Sequence, residues 1–176
     1  MSRRQLATVM ATSALTLGVC APIAQAAAPD PAATARLSGT FSVSGTVTQS
    51  VNGDPVGMHW VRPFRFTPTC TSGSCATRLT RTRGDGVVVK YLLNPNSTGT
   101  YTGTHKYVAS CFLSGGGTVP KAYTYTETTT ITQKRVVAGS IATFTGTLRL
   151  SAKPTAIGQA HNCRPGNETI ALSGKR

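Results

Sequence analysis

Threonine recurs at every second position in three separate runs of this chain: Thr98, Thr100, Thr102, Thr104; Thr124, Thr126, Thr128, Thr130, Thr132; and Thr143, Thr145, Thr147. Successive side chains of a β-strand point to opposite faces, so a period of two marks a strand with one face in water and the other against a core. No helical periodicity and no internal repeat competes with it. The pattern predicts an all-β protein of antiparallel strands.

Turn signals divide the chain into lengths suited to strands. Asn52-Gly53-Asp54-Pro55, Gly84-Asp85-Gly86, Asn94-Pro95-Asn96, Gly115-Gly116-Gly117 and Ala138-Gly139 supply the backbone freedom or fixed φ that tight connections need. Between them strands are expected at about 38–51, 56–67, 75–83, 87–93, 98–113, 121–135, 140–151 and 168–175. Eight sequential strands with mostly short connections suggest an up-and-down meander, and closing it into a barrel removes the exposed edges. A two-sheet β-sandwich is the alternative, since the same alternation serves two packed inner faces. Alternation puts Phe41, Val43 and Val47 inside on the first strand. On the seventh it puts Phe144, Leu148 and Leu150 inside, with Ile141 on the threonine face.

The first residues carry a different message. Arg3 and Arg4 precede an apolar stretch from Leu6 to about Ile23, and Ala24-Gln25-Ala26 has the small-x-small form that signal peptidase requires. Residues 1–26 are therefore expected to be a signal peptide, 27–36 a flexible Ala- and Pro-rich leader, and 37–176 a single barrel domain. The protein is then secreted, to the medium or the cell envelope, with no transmembrane segment after cleavage. Four cysteines remain, Cys70, Cys75, Cys111 and Cys163, an even number in an exported chain, which points to two disulfides. Four residues separate Cys70 from Cys75 and no second paired motif exists, so zinc is disfavoured and no metal is expected. Of the three possible pairings, strand direction favours Cys70 with Cys75, flanking one connection, and Cys111 with Cys163, which fall at the opposite end. Without Arg3 and Arg4, 16 Lys and Arg face five Asp and Glu, a net charge of +11. This balance favours anionic partners such as envelope polymers. Nothing in the chain has the signature of specific nucleic-acid recognition.

Few polar residues fall on inward positions. Trp60, Arg62, Phe64 and Phe66 share one face of the second strand, so Arg62 is placed to stack on an aromatic ring. Tyr101, His105 and Tyr107 on the fifth strand, and Tyr123, Tyr125 and Glu127 on the sixth, lie opposite the threonines. A buried glutamate needs a cationic partner, and Arg62 or His105 is the natural companion of Glu127. Together Trp60, Arg62, Tyr101, His105, Tyr107, Tyr123, Tyr125 and Glu127 outline a ligand cavity of the kind an eight-stranded barrel can enclose. No catalytic residue is assigned. No Gly-x-Ser-x-Gly elbow occurs, and Asp54, Asp85 and Glu168, in turns or near a strand start, leave Glu127 without an evident second carboxylate. No cofactor is expected.

Two resemblances follow from these residues. The run Trp60-Val61-Arg62-Pro63-Phe64-Arg65-Phe66-Thr67-Pro68-Thr69-Cys70, followed by Ser74-Cys75-Ala76-Thr77, resembles small exported actinobacterial proteins of uncharacterised function. That likeness extends loosely over Gly39 to Arg176. It implies a bacterial extracytoplasmic setting and carries no activity. Ser38-Gly39-Thr40-Phe41 looks like the opening of calycin barrels such as lipocalins and streptavidin. Phe41 stands where those families commonly place tryptophan, and the tryptophans of a biotin site are absent, so biotin binding is not implied. The expected function is a secreted, non-enzymatic barrel that binds a small molecule or an anionic envelope component. The alternative is a secreted inhibitor or antagonist that projects the Cys70–Cys75 loop, since a constrained loop loses little ordering entropy on binding.

Overall fold

A computed structural model describes residues 34–176. The expected signal peptide, and the leader up to residue 33, lie outside the described residues. Eight strands follow one another: β1 (Gly39–Val51), β2 (His59–Pro68), β3 (Thr77–Thr82), β4 (Val88–Pro95), β5 (Tyr101–Phe112), β6 (Thr118–Val137), β7 (Ser140–Pro154) and β8 (Gly166–Lys175), with one short helix, α1 (Ala156–Ala160), before the last. Each strand pairs antiparallel with its sequence neighbour, and β8 pairs back onto β1, closing an eight-stranded meander barrel.

The threonine alternation becomes an outer ladder. Thr104 stands opposite Thr128, with hydroxyls 3.2 Å apart, and Thr102 opposite Thr130. The β6–β7 connection is the two-residue Ala138-Gly139 turn with both φ positive, 47° and 70°. That is the primed-turn geometry whose twist suits a hairpin, and glycine is the residue that meets it without strain. The helix lies on β6 and is a single turn, too short to leave a period in the sequence. Thr155 caps it by accepting from Gly158 N at 3.3 Å while donating to Lys121 O at 2.9 Å.

Ile141 departs from the face that alternation assigns. It is fully buried in the core, not on the threonine face. Arg135 pairs with Thr143 and Val136 with Ile141, so Ala142 is an extra, unpaired residue on β7. A bulge of one residue inverts the alternation beyond it and turns Ile141 inward.

The barrel is filled at one end and open at the other. At the closed end Phe41 lies between Phe66 and Phe144, with ring centroids 5.5 and 5.2 Å away, and Phe64 extends the cluster. Ala35 and Leu37 are both fully buried across this end. Arg36 bridges the β7 edge, donating from its backbone to Gly139 O at 2.9 Å and accepting from Ile141 N at 3.1 Å. Ala35 and Arg36, placed in the leader by composition, thus form part of the end cap.

One seam of the barrel is incomplete. β4 and β5 pair only at Asn94 with Thr102 and Pro95 with Tyr101, next to their connecting turn. Beyond that the strands part. Gly103 is the pivot: a Cβ there would stand 2.1 Å from Leu92 O, so only glycine lets the two backbones approach this closely before they diverge.

Candidate functional site in the open mouth

At the open end, the inward positions switch from aliphatic and phenylalanine side chains to charged and amphipathic ones. On β2, Phe64 gives way to Arg62 and Trp60; on β3, Leu79 gives way to Arg81, with Arg83 just beyond the strand. On β6, Thr129 is followed towards the mouth by Glu127 and Tyr125. Trp60, Arg62, Arg81, Arg83 and Glu127 line a cavity of about 210 Å³, which shares Asp54, Leu150 and Glu168 with an adjoining recess of about 380 Å³ that Tyr125 lines.

The floor is a buried ion pair. Glu127 is fully buried and Arg81 is 4% exposed. Arg81 meets both carboxylate oxygens, its Nε donating to Oε1 at 3.3 Å and its Nη2 contacting Oε2. Tyr91 of β4 donates to Glu127 Oε1 at 2.7 Å, and its hydroxyl is 2.6 Å from that of Thr129. Burial works against the Arg81 charge, but the charge and hydrogen bond of Glu127 more than offset it and hold the guanidinium above its ordinary range. The companion of Glu127 is therefore Arg81, in place of Arg62 or His105. Arg62 instead stacks over Trp60 at 5.0 Å, and Trp60 lies flat on Gly45, where a Cβ would sit 2.3 Å from the ring.

All four carboxylates among the described residues, Asp54, Asp85, Glu127 and Glu168, line this mouth. Sequence separation hid this convergence. Asp54 and Glu168 come from a loop and a strand start more than a hundred residues apart, and β1–β8 pairing brings them together. Burial first, and then the charge of Asp54, raise the Glu168 pKa. Across the mouth Arg83 holds Asp85 at 2.6 Å and lies 3.8 Å over the Tyr107 ring. The mouth is therefore divided in charge, with the arginines on the β2–β3 wall and Asp54 with Glu168 on the β8 side. Among the described residues no three His, Cys, Asp or Glu side chains group closely enough to hold a metal ion.

The expected cavity residues do not all gather in one place. Trp60, Arg62, Tyr107 and Glu127 line the mouth, and Tyr125 lines the adjoining recess. His105 stacks between Tyr91 and Tyr107, with centroids 5.5 and 5.6 Å away, at the open seam. Tyr101 and Tyr123 do not join the mouth. Tyr101 is fully buried at the closed end, where its hydroxyl donates to Ala35 O at 2.9 Å and accepts from Leu37 N at 3.3 Å. Tyr123 packs by the Cys111–Cys163 bridge and donates to Arg164 O at 2.8 Å. Arg81, Arg83 and Tyr91 complete the site. Carrying the alternation on from Leu79 would have found the two arginines.

The tyrosines give a test of this arrangement. Burial raises Tyr91 far above its ordinary pKa, aided by the charge of Glu127, and pushes Tyr107 up to about 12. Both groups favour the folded state while protonated. Their contribution is complete below the unfolded tyrosine pKa of about 10 and is lost as pH rises from there through their folded values. Tyr91 and Tyr107 should therefore ionise only above the ordinary tyrosine range, together with unfolding seen by circular dichroism. Ionisation of Tyr91 and Tyr107 in the ordinary tyrosine range while the fold persists would mean that the mouth is open to water down to Tyr91.

Both expected disulfides are formed, Cys70–Cys75 and Cys111–Cys163. The Cys70–Cys75 loop belongs to the closed end. Arg36 donates to Thr71 O, and the Ser74 and Tyr101 hydroxyls are 3.2 Å apart. No described helix is long and apolar enough to cross a membrane. No protein-family model matches the chain, and no curated protein matches it, so the chemistry of the mouth carries the functional argument.

Proposed function

We propose that this protein is a secreted, non-enzymatic barrel that holds a small polar molecule in its open mouth. The observation that carries the reading is the convergence of Arg62, Arg81, Arg83 and all four described carboxylates on one cavity, beside Trp60 and Tyr107. Charged side chains at the end of a barrel whose other end is packed with phenylalanine are costly for folding alone. Ordered in advance around a recess, they supply the few convergent polar groups that orient a ligand. Arg62 offers a guanidinium backed by an indole, suited to a carboxylate or phosphate. Asp54 and Glu168 on the facing side suit a cationic or hydroxyl-rich group. Glu127, gripped by Arg81 and Tyr91, holds the floor in place.

Native and denaturing mass spectra of the protein purified from its host's medium test the proposal. The expected result is an added mass present only under native conditions, lost in Arg62→Ala and Glu168→Gln variants of unchanged thermal stability. Retention of that mass in both variants would overturn the cavity reading.

A second reading, association with anionic envelope polymers, is favoured by one observation. With every described carboxylate in the mouth, the outer wall carries exposed Arg65, Arg78, Lys90, Lys106, Arg149 and Lys153 and no carboxylate among the described residues. Binding to isolated cell wall should weaken steeply between low and physiological salt. Salt-insensitive binding would exclude it.

A further inference from the structure

The parted seam between β4 and β5 leaves two strand edges facing an open slot. Arg83 N donates to Val87 O at 2.8 Å at the β3–β4 hairpin. Antiparallel ladders alternate bonded and non-bonded pairs, so Val89 and Tyr91 bond to β3, while Val88 and Lys90 turn their N–H and C=O groups away from it. The same count from Asn96 N to Thr100 O, 2.9 Å, directs the backbone groups of Lys106 and Val108 towards β4. Among the described residues none of these four pairs across the seam. The slot between them encloses about 590 Å³, with the His105 and Tyr107 rings lining its inner side.

We propose that this slot accepts an extended acidic peptide segment of another protein, which adds a strand against the free β4 and β5 edges. Main-chain pairing supplies such a strand with affinity, and alternate side-chain contacts supply its specificity. The outward residues that flank the slot are Val88 and Val108, 56% and 57% exposed, with Lys90 and Lys106; Phe112, 82% exposed, stands at its wide end. A segment alternating apolar or aromatic residues with Asp or Glu matches both sides. Its inward side chains cover Tyr107 and His105, and its acidic ones lie beside the two lysines. Lysines on a strand edge guard against pairing with another copy of the same edge, because two copies bring like charges together. Asp85, the one described carboxylate that borders the slot, is already paired with Arg83 and does not relieve that repulsion, so charge selects an acidic strand over self-association.

The test uses the full chain and a fluorescent peptide alternating Glu with Val and Tyr, followed by anisotropy. The expected result is saturable binding that falls about tenfold or more when Lys replaces Glu in the peptide, or in a Lys90→Glu/Lys106→Glu variant. N-methylation of alternate peptide amides should abolish binding by removing the main-chain bonds. An Arg62→Ala variant should bind the peptide normally, since Arg62 lines the mouth and not the slot, which meet only at Arg83, Asp85 and Tyr107. Undiminished binding of the N-methylated peptide would reduce the slot to unspecific charge attraction and overturn the proposal. So would no binding at all, or a concentration-dependent dimer that the peptide fails to dissociate, the mark of a second copy occupying the seam. Lys90 and Lys106 are exposed, so circular dichroism of their double variant should match that of the parent.

Discussion

Arg81→Met is expected to lower the unfolding free energy by about 3–5 kcal/mol, because it leaves Glu127 as a fully buried carboxylate with no cation. Tyr91 would still donate one hydrogen bond to Oε1, but one neutral donor does not replace a guanidinium that meets both oxygens. The loss should shrink as the pH falls and the stranded carboxyl takes up a proton, which removes the charge that burial penalises. The double variant Arg81→Met/Glu127→Leu separates the two sides of this balance. Taking two charges out of water is itself costly, so removing both in favour of apolar groups should bring stability back to within about 1 kcal/mol of the parent. Urea denaturation of the three proteins reads the comparison directly. A single-variant loss below about 1 kcal/mol would show that water reaches the floor of the mouth and screens the pair. If the double variant is stable but no longer retains the native-only mass, the ion pair is kept for ligand orientation at no benefit to the fold.

The parts of this molecule legible in its sequence are those that depend on local alternation. Threonines at 98–104, 124–132 and 143–147 do lie on strands β5, β6 and β7 or the turn leading into β5, and glycine-bearing turns separate the strands. Counting in twos fails at Ala142, where one unpaired residue inverts the face and buries Ile141. Alternation also gives a face without a height. Tyr101 and Tyr107 point inward from the same strand, yet one seals the closed end and the other lines the mouth, because strand tilt decides depth along the barrel axis. The partner of Glu127 was hidden for a related reason. His105 stands directly across from Glu127 in register, but Arg81 reaches it through the interior from β3. The meeting of Asp54 with Glu168 depends on barrel closure, which no local pattern encodes.

Removing the Cys111–Cys163 bridge should cost about 4 kcal/mol and removing Cys70–Cys75 about 2, because chain entropy scales with the loop each bond closes, sequence separations of 52 and 5. The long bridge joins the end of β5 to the segment after α1, where Cys111, Cys163, Val119 and Ala122 form a small core of their own. That core is separate from the main one and too small to hold the 155–165 connection by burial alone. Tyr123, which bonds Arg164 O from β6, depends on the same tether. A Cys111→Ala/Cys163→Ala variant should therefore melt on the order of 10 °C lower, the shift that about 4 kcal/mol produces in a chain of this length. Its closed end, packed by Phe41, Phe66 and Phe144 on the far side of the barrel, should be the last part to lose hydrogen-exchange protection. The short bridge lies at that closed end, where Arg36 and Tyr101 also tie the loop down. Its removal should leave the exchange pattern of the mouth unchanged. Equal losses from the two variants would refute the entropic account, and a larger loss from the short bridge would move the seat of stability to the end cap built by Ala35 and Leu37.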